Sequence, residues 1–289
     1  MILLDGKATA QKKQIELKKT VDQLFLKTGI RPKLAVVLCG DYPPSQIYVR
    51  NKIKACQEVG IISDFIKLPS DITQSNLILE IEKLNQDPLI HGILVQMPLP
   101  KGLDSNLAIE AISEYKDVDG FSYSSLGRLM AKNSIVKSCT PLGIMRLLEE
   151  YKINVSGLNA AVVGRSTIVG LPMQMMLTHA DATVTLCHSK TKNLSVILQQ
   201  SDLVVVAMHQ CRFLGQQDFK KGAIVIDVGI HPPGPQNAKI SGDVRYEELE
   251  NWAYAATPVP GGVGPMTIYA LLENTVTLFK YQNKIDELV

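Results

Sequence analysis

The sequence predicts an α/β protein of two domains, and three observations carry that prediction. Apolar runs of strand length alternate with helix-length amphipathic segments along the chain. The alternation comes in two series, separated near "SCTPLGIMRLLEEY". The second series contains "AAVVGRSTIVGLP", an apolar strand running into a glycine-marked turn of the kind that feeds a helix. A chain of 289 residues, 46% hydrophobic and 20% charged, is long and apolar enough to bury a core in each half.

The elements follow in order. A first helix is read through "TAQKKQIELKKTVDQLFLK", where Ile15, Leu17, Val21, Leu24 and Phe25 recur at near-helical spacing. "PKLAVVLCG" is a buried strand. In "SQIYVRNKIKAC" and the residues after it, Val49, Ile53, Cys56 and Gly60 share a helical face with Val59 at its flank. Tyr48 and Lys52 form a parallel row about 100° round, at the edge of the buried surface. A strand near "DFIKLP", a helix from about Asp71 to Asn85 and a strand "HGILVQMPLP" complete the first series. Strands separated by helices pair in parallel, and ligands collect beyond their carboxyl ends, where Asp41, Gln96 and the approach to Tyr48 fall.

Between the halves, Thr140 is read as a helix cap with Pro141 in the first turn, opening a helix that bridges the domains. The second series has strands at "NAAVVG", "ATVTLCHS", "DLVVVAM", "GAIVIDVG" and "YAATPV", with a helix "LPMQMMLTHA" between the first two. The last helix, "GPMTIYALLENTVTLFKYQNK", carries Ile268, Leu271, Leu272, Thr275 and Leu278 on one side and is expected to pack back on the first domain. The partition is therefore 1–120 with 267–289, and 121–266.

The totals narrow the function classes. A formal net charge of +2 with dispersed basic residues lacks the footprint needed to hold a polyanion, so nucleic acid is not an expected partner. Apolar runs such as "GAIVIDVGI" are far shorter than the roughly 20 residues of a membrane helix, and no signal peptide heads the chain, so the protein reads as cytoplasmic. Cys39, Cys56, Cys139, Cys187 and Cys211 are widely spaced and read as free thiols, and the five histidines show no ligand spacing, so no metal is expected.

In the glycine turn, Gly164 makes the tight bend and Gly170 lets the next helix approach the sheet, while Ser166 replaces the middle glycine of the dinucleotide pattern. A plain strand–turn–helix connection shares this signature. About two dozen residues on, an NAD enzyme would place a carboxylate on the ribose hydroxyls; here "CHSKT" offers His188, Ser189 and Lys190, joined by Arg165 from the turn. A ribose phosphate is welcome there, and NADP is favoured over NAD.

These motifs, together with "DGK" at 5 to 7, "HGILVQMPLP", "KDVDGF", "CTPLGI" and "TPVPGGVGPMTIYALLENT", closely resemble the bifunctional methylenetetrahydrofolate dehydrogenase/cyclohydrolase family nearly end to end. The resemblance implies an N-terminal α/β folate-binding domain, a C-terminal Rossmann-type NADP domain, a cleft between them and usually a homodimer. It implies oxidation of 5,10-methylenetetrahydrofolate to the methenyl cation with NADP, then hydrolysis to 10-formyltetrahydrofolate, a one-carbon supply to purine biosynthesis. Carried over residue by residue, the active-site set is Tyr48, Lys52, Gln96 and Asp119. The cofactor set is Gly164, Arg165, Ser166, Ser189 and Ile230, and Gly261 and Gly262 wall the folate pocket.

Taken alone, Lys52 could lay its stem along apolar surface, Gln96 could satisfy a strand end and Asp119 could cap the turn before Gly120. In the family context Asp119 is expected to accept paired hydrogen bonds from the pterin. Loss of a hydride makes the folate cationic, so Lys52 is expected as the neutral amine, directed by Gln96, and matters more to hydrolysis than to hydride transfer. The chain departs from the family where His209 and Cys211 stand for a usual glycine and proline, and where Ser138 and Pro44 replace a usual proline and alanine. His209 and Cys211 end a Rossmann strand and could crowd the cofactor, which leaves a cyclohydrolase with weak or absent dehydrogenase activity as the alternative.

Overall fold

The structure, a computed structural model, describes residues 1–234 and 239–285. In chain order it holds β1 (Ile2–Leu3), α1 (Gly6–Thr28), β2 (Lys33–Cys39), α2 (Pro43–Val59), β3 (Ile62–Leu68), α3 (Gln74–Gln86), β4 (Gly92–Val95), α4 (Ser105–Glu110), α5 (Tyr123–Met130) and α6 (Cys139–Glu150). There follow β5 (Asn159–Val163), α7 (Gly170–His179), β6 (Thr183–Cys187), α8 (Leu194–Leu198), β7 (Leu203–Val206), β8 (Ile224–Asp227), β9 (Ala255–Ala256) and α9 (Val263–Gln282). Two compact units result: Lys12–Cys139 with Ile268–Val289, and Met1–Gln11 with Thr140–Thr267.

The first unit is built on a parallel sheet in the order β3-β2-β4. β2 lies in the middle and is buried along nearly its whole length, which is why its sequence is an unbroken apolar run rather than an alternating one. β3, at the edge, mixes exposed and half-buried positions. Leu77 and Ile81 of α3 pack with Ala35, Val37, Ile93 and Val95 from the sheet. α2 buries Val49, Ala55, Cys56 and Val59, starts on Pro43 and Pro44 in its first turn, and ends at Gly60 with φ 82°. Proline costs no hydrogen bond there, and glycine takes the left-handed exit without strain.

The second unit is a parallel six-stranded sheet in the order β1-β9-β8-β7-β5-β6. β5, β7 and β8 are almost wholly buried. The order reverses where β5 sits between β6 and β7, and a doubly wound sheet binds its ligand at such a switch.

The units do not follow the simple cut at residue 120. Ile2 and Leu3 add a strand beside Ala255 and Ala256, which draws Met1–Gln11 to the second unit. Residues 121–139 stay with the first because buried Asp117 gathers the amides of Gly120, Phe121 and Ser122 and the Ser125 hydroxyl. The expected cap at Thr140 is also corrected: α6 begins at Cys139, so Thr140 lies inside the helix, and its hydroxyl accepts from Thr267 at 3.1 Å. No helix among the described residues is long and apolar enough to cross a membrane.

Candidate active site and cofactor turn

In the first unit, α2 carries Ser45, Tyr48 and Lys52 at spacings of three and four, so one helix row presents all three. Lys52 Nζ donates to Gln96 Oε1 at 3.0 Å, although 44 positions separate them in the chain. Gln96 leaves the end of β4, is 8% exposed and donates its own Nε2 to the Met97 carbonyl at 2.6 Å. That second bond fixes which end of the amide meets the amine, so the lysine is aimed by a side chain that cannot flip cheaply. Tyr48, one turn earlier, is 47% exposed and free to meet a flat ring. Local sequence does not mark Ser45, which is 1% exposed and whose Oγ makes no hydrogen bond among the described residues.

Asp119 follows β4's neighbouring segment and lies within the electrostatic reach of Lys52 and Asp117. Part of its surface is open to solvent, yet it is so closely surrounded that desolvation pushes its carboxyl up to about 6, against the pull of Lys52. Turn capping here belongs to Asp117, not Asp119, because Asp117 already takes the Gly120 amide at 2.9 Å. Cys139 sits against Asp119, and burial together with that carboxylate pushes the thiol well above its ordinary range, so it acts as a donor rather than a nucleophile. Cys56, below Lys52, is pushed up to about 12 by burial.

The loop bearing Asp119 is held from far along the chain. Asn274 of α9 is 2% exposed and donates Nδ2 to the carbonyls of Val118 and Lys137, each at 2.8 Å. Replacing it with Ala removes both bonds, leaving the Val118 carbonyl with only the Cys139 thiol as donor. Asn274→Ala is expected to lower stability by about 1–3 kcal/mol, read from urea unfolding.

In the second unit, Gly164 turns with φ 134°, and a Cβ there would stand 2.3 Å from the Ala207 oxygen. A Cβ on Gly170 would stand 2.0 Å from the Gly164 oxygen. The turn is thus a cradle closed to any side chain. A cavity of about 460 Å³ opens beside it, lined by Gly164, Arg165, His188, Ser189, Met208 and Gln210 among others. Of the expected cofactor residues, Gly164, Arg165 and Ser189 line it. Ser166 and Ile230 do not: Ser166 Oγ accepts from the Val169 and Gly170 amides at the start of α7, and Ile230 is 51% exposed beyond β8. His209 takes φ 56°, the conformation a glycine adopts most easily, with its side chain exposed and outside the cavity lining. Cys211 lies 3.4 Å from the Ser241 hydroxyl. Neither departure fills the cavity. Gly261 and Gly262 belong to this second unit, with the Gly261 carbonyl accepting from Lys7. Gly170→Ala is expected to cost about 1–3 kcal/mol by overpacking, measured by denaturation.

A parallel sheet with a glycine cradle at its switch point, joined in one chain to a second α/β unit with an aimed lysine and a raised carboxylate, defines a two-domain nucleotide-dependent enzyme. Residues 4–119 match the family model described as tetrahydrofolate dehydrogenase/cyclohydrolase, catalytic domain, and residues 138–283 match that of its NAD(P)-binding domain. The chain belongs to the tetrahydrofolate dehydrogenase/cyclohydrolase family. It is 52% identical over 278 residues, 96% of each chain, to the bifunctional protein FolD of Bdellovibrio bacteriovorus. The FolD crystal structure from Campylobacter jejuni superposes with a TM-score of 0.94 at 47% identity, covering 97% of this chain and 99% of that one. A Trypanosoma brucei enzyme solved with NADP and an inhibitor gives 0.92 at 37% identity over 98% of both.

Proposed function

We propose that the chain oxidises 5,10-methylenetetrahydrofolate to 5,10-methenyltetrahydrofolate with NADP and hydrolyses that product to 10-formyltetrahydrofolate. The observation that carries this reading is the Lys52–Gln96 bond with Asp119 beside it. Asp119 accepts two hydrogen bonds from the pterin, and Tyr48 stacks on its ring. Bound NADP supplies the hydride acceptor. Gly164 and Gly170 leave room for its pyrophosphate at the start of α7, and Arg165, His188 and Ser189 face its ribose phosphate. Ser166, which shapes the turn, and Ile230 are further cofactor contacts, and Gly261 and Gly262 border the folate.

Lys52 serves hydrolysis above all. Its amine takes a proton from the attacking water, and the resulting ammonium returns one to the ring nitrogen as the tetrahedral adduct opens. Hydride transfer demands alignment rather than a base, so it leans less on this side chain. The substrates are small folates rather than nucleic acid, in keeping with the +2 net charge. A cytoplasmic homodimer feeding purine biosynthesis is the fuller reading. Its support is the edge strand β3 with Ile62 and Phe65 exposed, a ready surface for a second copy.

The test is to assay the purified chain with methylenetetrahydrofolate plus NADP or NAD, and separately with methenyltetrahydrofolate alone. Turnover in both, with NADP preferred, is expected. Hydrolysis without reduction of either dinucleotide would leave a cyclohydrolase only, and turnover of neither folate would sink the proposal.

A further inference from the structure

Outside the residues already given roles, the second unit buries a pair of carboxylates behind the cavity wall. Asp243 is 0% exposed and Asp227 4%. Asp243 Oδ2 accepts from the amides of Met208 at 2.8 Å and His209 at 3.1 Å, and Oδ1 accepts from that of Gln210 at 2.8 Å. His231 Nε2 lies 2.8 Å from the same Oδ1. The Asp243 carbonyl then accepts from Phe213 at 2.7 Å and Leu214 at 3.1 Å. One residue therefore holds five backbone amides of the 208–214 loop, and Met208, Gln210, Phe213 and Leu214 of that loop all line the cavity.

A second tier supports it. Asp227, at the end of β8, accepts from the amides of Gly229, Asp243 and Val244 at 2.9, 3.1 and 2.9 Å. Glycine is required on both sides: a Cβ on Gly242 would stand 1.9 Å from Asp227 Oδ2, and one on Gly229 2.6 Å from Asp243 Cγ. Burying this much carboxylate has a cost, visible in Asp227, which desolvation pushes up to about 7. Three convergent amides on an αL-containing turn form an anion nest, and here the protein fills it with its own carboxylate. The 208–210 amides are thereby withdrawn from the cavity, and the segment offers Met208 and Gln210 side chains to the ligand instead. The same clamp explains how His209 is kept at φ 56° without a glycine.

We propose that Asp243 is a positioning residue for the dinucleotide, shaping the 208–214 wall of the NADP pocket from behind. This rests on the reading of that cavity as the NADP site. In Asp243→Asn, the amide keeps the shape but offers one acceptor oxygen where two served, and turns N–H groups on N–H groups. Calorimetric titration should show NADP binding at least about 10-fold weaker, within the range of a lost charged hydrogen bond. KM for NADP should rise in step while kcat at saturation stays within about twofold, and amide exchange at 208–210 should lose protection. Hydrolysis of methenyltetrahydrofolate, a reaction of the first unit, should be unchanged. Unaltered NADP affinity, or an equal fall in hydrolysis, overturns the proposal. Should Asp243→Asn not fold, His231→Ala removes one partner of the carboxylate and is expected to weaken NADP binding about threefold; no change there overturns it equally. A wild-type chain that bound no NADP would sink the cavity's reading as well, whereas normal wild-type binding with an unaffected variant sinks this inference alone.

Discussion

Lys52→Met is expected to slow hydrolysis of methenyltetrahydrofolate by about 10²–10⁴-fold, the range of a lost general acid–base group. Methionine matches the length and apolar stem of lysine but carries no proton, so packing along α2 is largely kept. Gln96 Oε1 loses its donor, a loss of about 1–3 kcal/mol that thermal melts will register separately. Dehydrogenase turnover should fall by a smaller factor, because alignment of bridge carbon and nicotinamide does not require a proton carrier. Following decay of the methenyl absorbance and formation of NADPH in parallel checks the difference. A variant that hydrolysed at the wild-type rate would remove Lys52 from the mechanism.

Asp119→Asn should separate stability from activity in opposite directions. The carboxyl is raised from 3.8 to about 6 in the folded unit, so the native state holds its proton more tightly than the unfolded chain. Ionisation therefore opposes folding, by an amount that grows as pH rises from about 4 to 6 and is constant above that window. The neutral amide escapes this cost. At pH 7 to 8 Asp119→Asn is expected to gain about 1–3 kcal/mol in urea unfolding, and to gain nothing below about pH 4. Substrate binding moves the other way, since an amide accepts one of the two pterin bonds and presents N–H to the other: kcat/KM should fall at least about 100-fold. Wild-type affinity for folate should also strengthen as pH rises through about 6, and the variant should lack that dependence. A variant that lost stability at neutral pH would show that the carboxylate is held by partners rather than strained by burial.

The parts of the fold legible in the sequence are those governed by local period. β2 is a bare apolar run because both its faces are covered, and α2 shows its buried face through Val49, Cys56 and Val59. Parallel-sheet geometry places Gln96 and the approach to Tyr48 at strand ends, whereas the pairing of Gln96 with Lys52 is legible only through the family resemblance. Short elements were not legible: β1 has two residues and α8 five, too few to show any repeat. The start of α6 lies two residues before the position that Thr140 and Pro141 suggest, because a hydroxyl residue stands on each side of Cys139 and local sequence does not choose between them. The supports of the site were hidden for a different reason. Asn274 reaches Val118 across 156 positions, and Asp243 reaches Met208 across 35. Ser45 looked like an ordinary residue of a helix's first turn. Nothing in local composition marks a polar side chain whose partner is a distant carbonyl or amide.

The reach of Asn274 also bears on where this gene tolerates damage. A nonsense codon or proteolytic nick just before Asn274 would spare Tyr48, Lys52, Gln96 and Asp119, the side chains proposed to meet the substrate. It would nonetheless untie the peptide that carries Asp119, because both carbonyl tethers descend from the closing helix. Such a shortened product would keep its chemistry on paper and lose its grip on the vitamin.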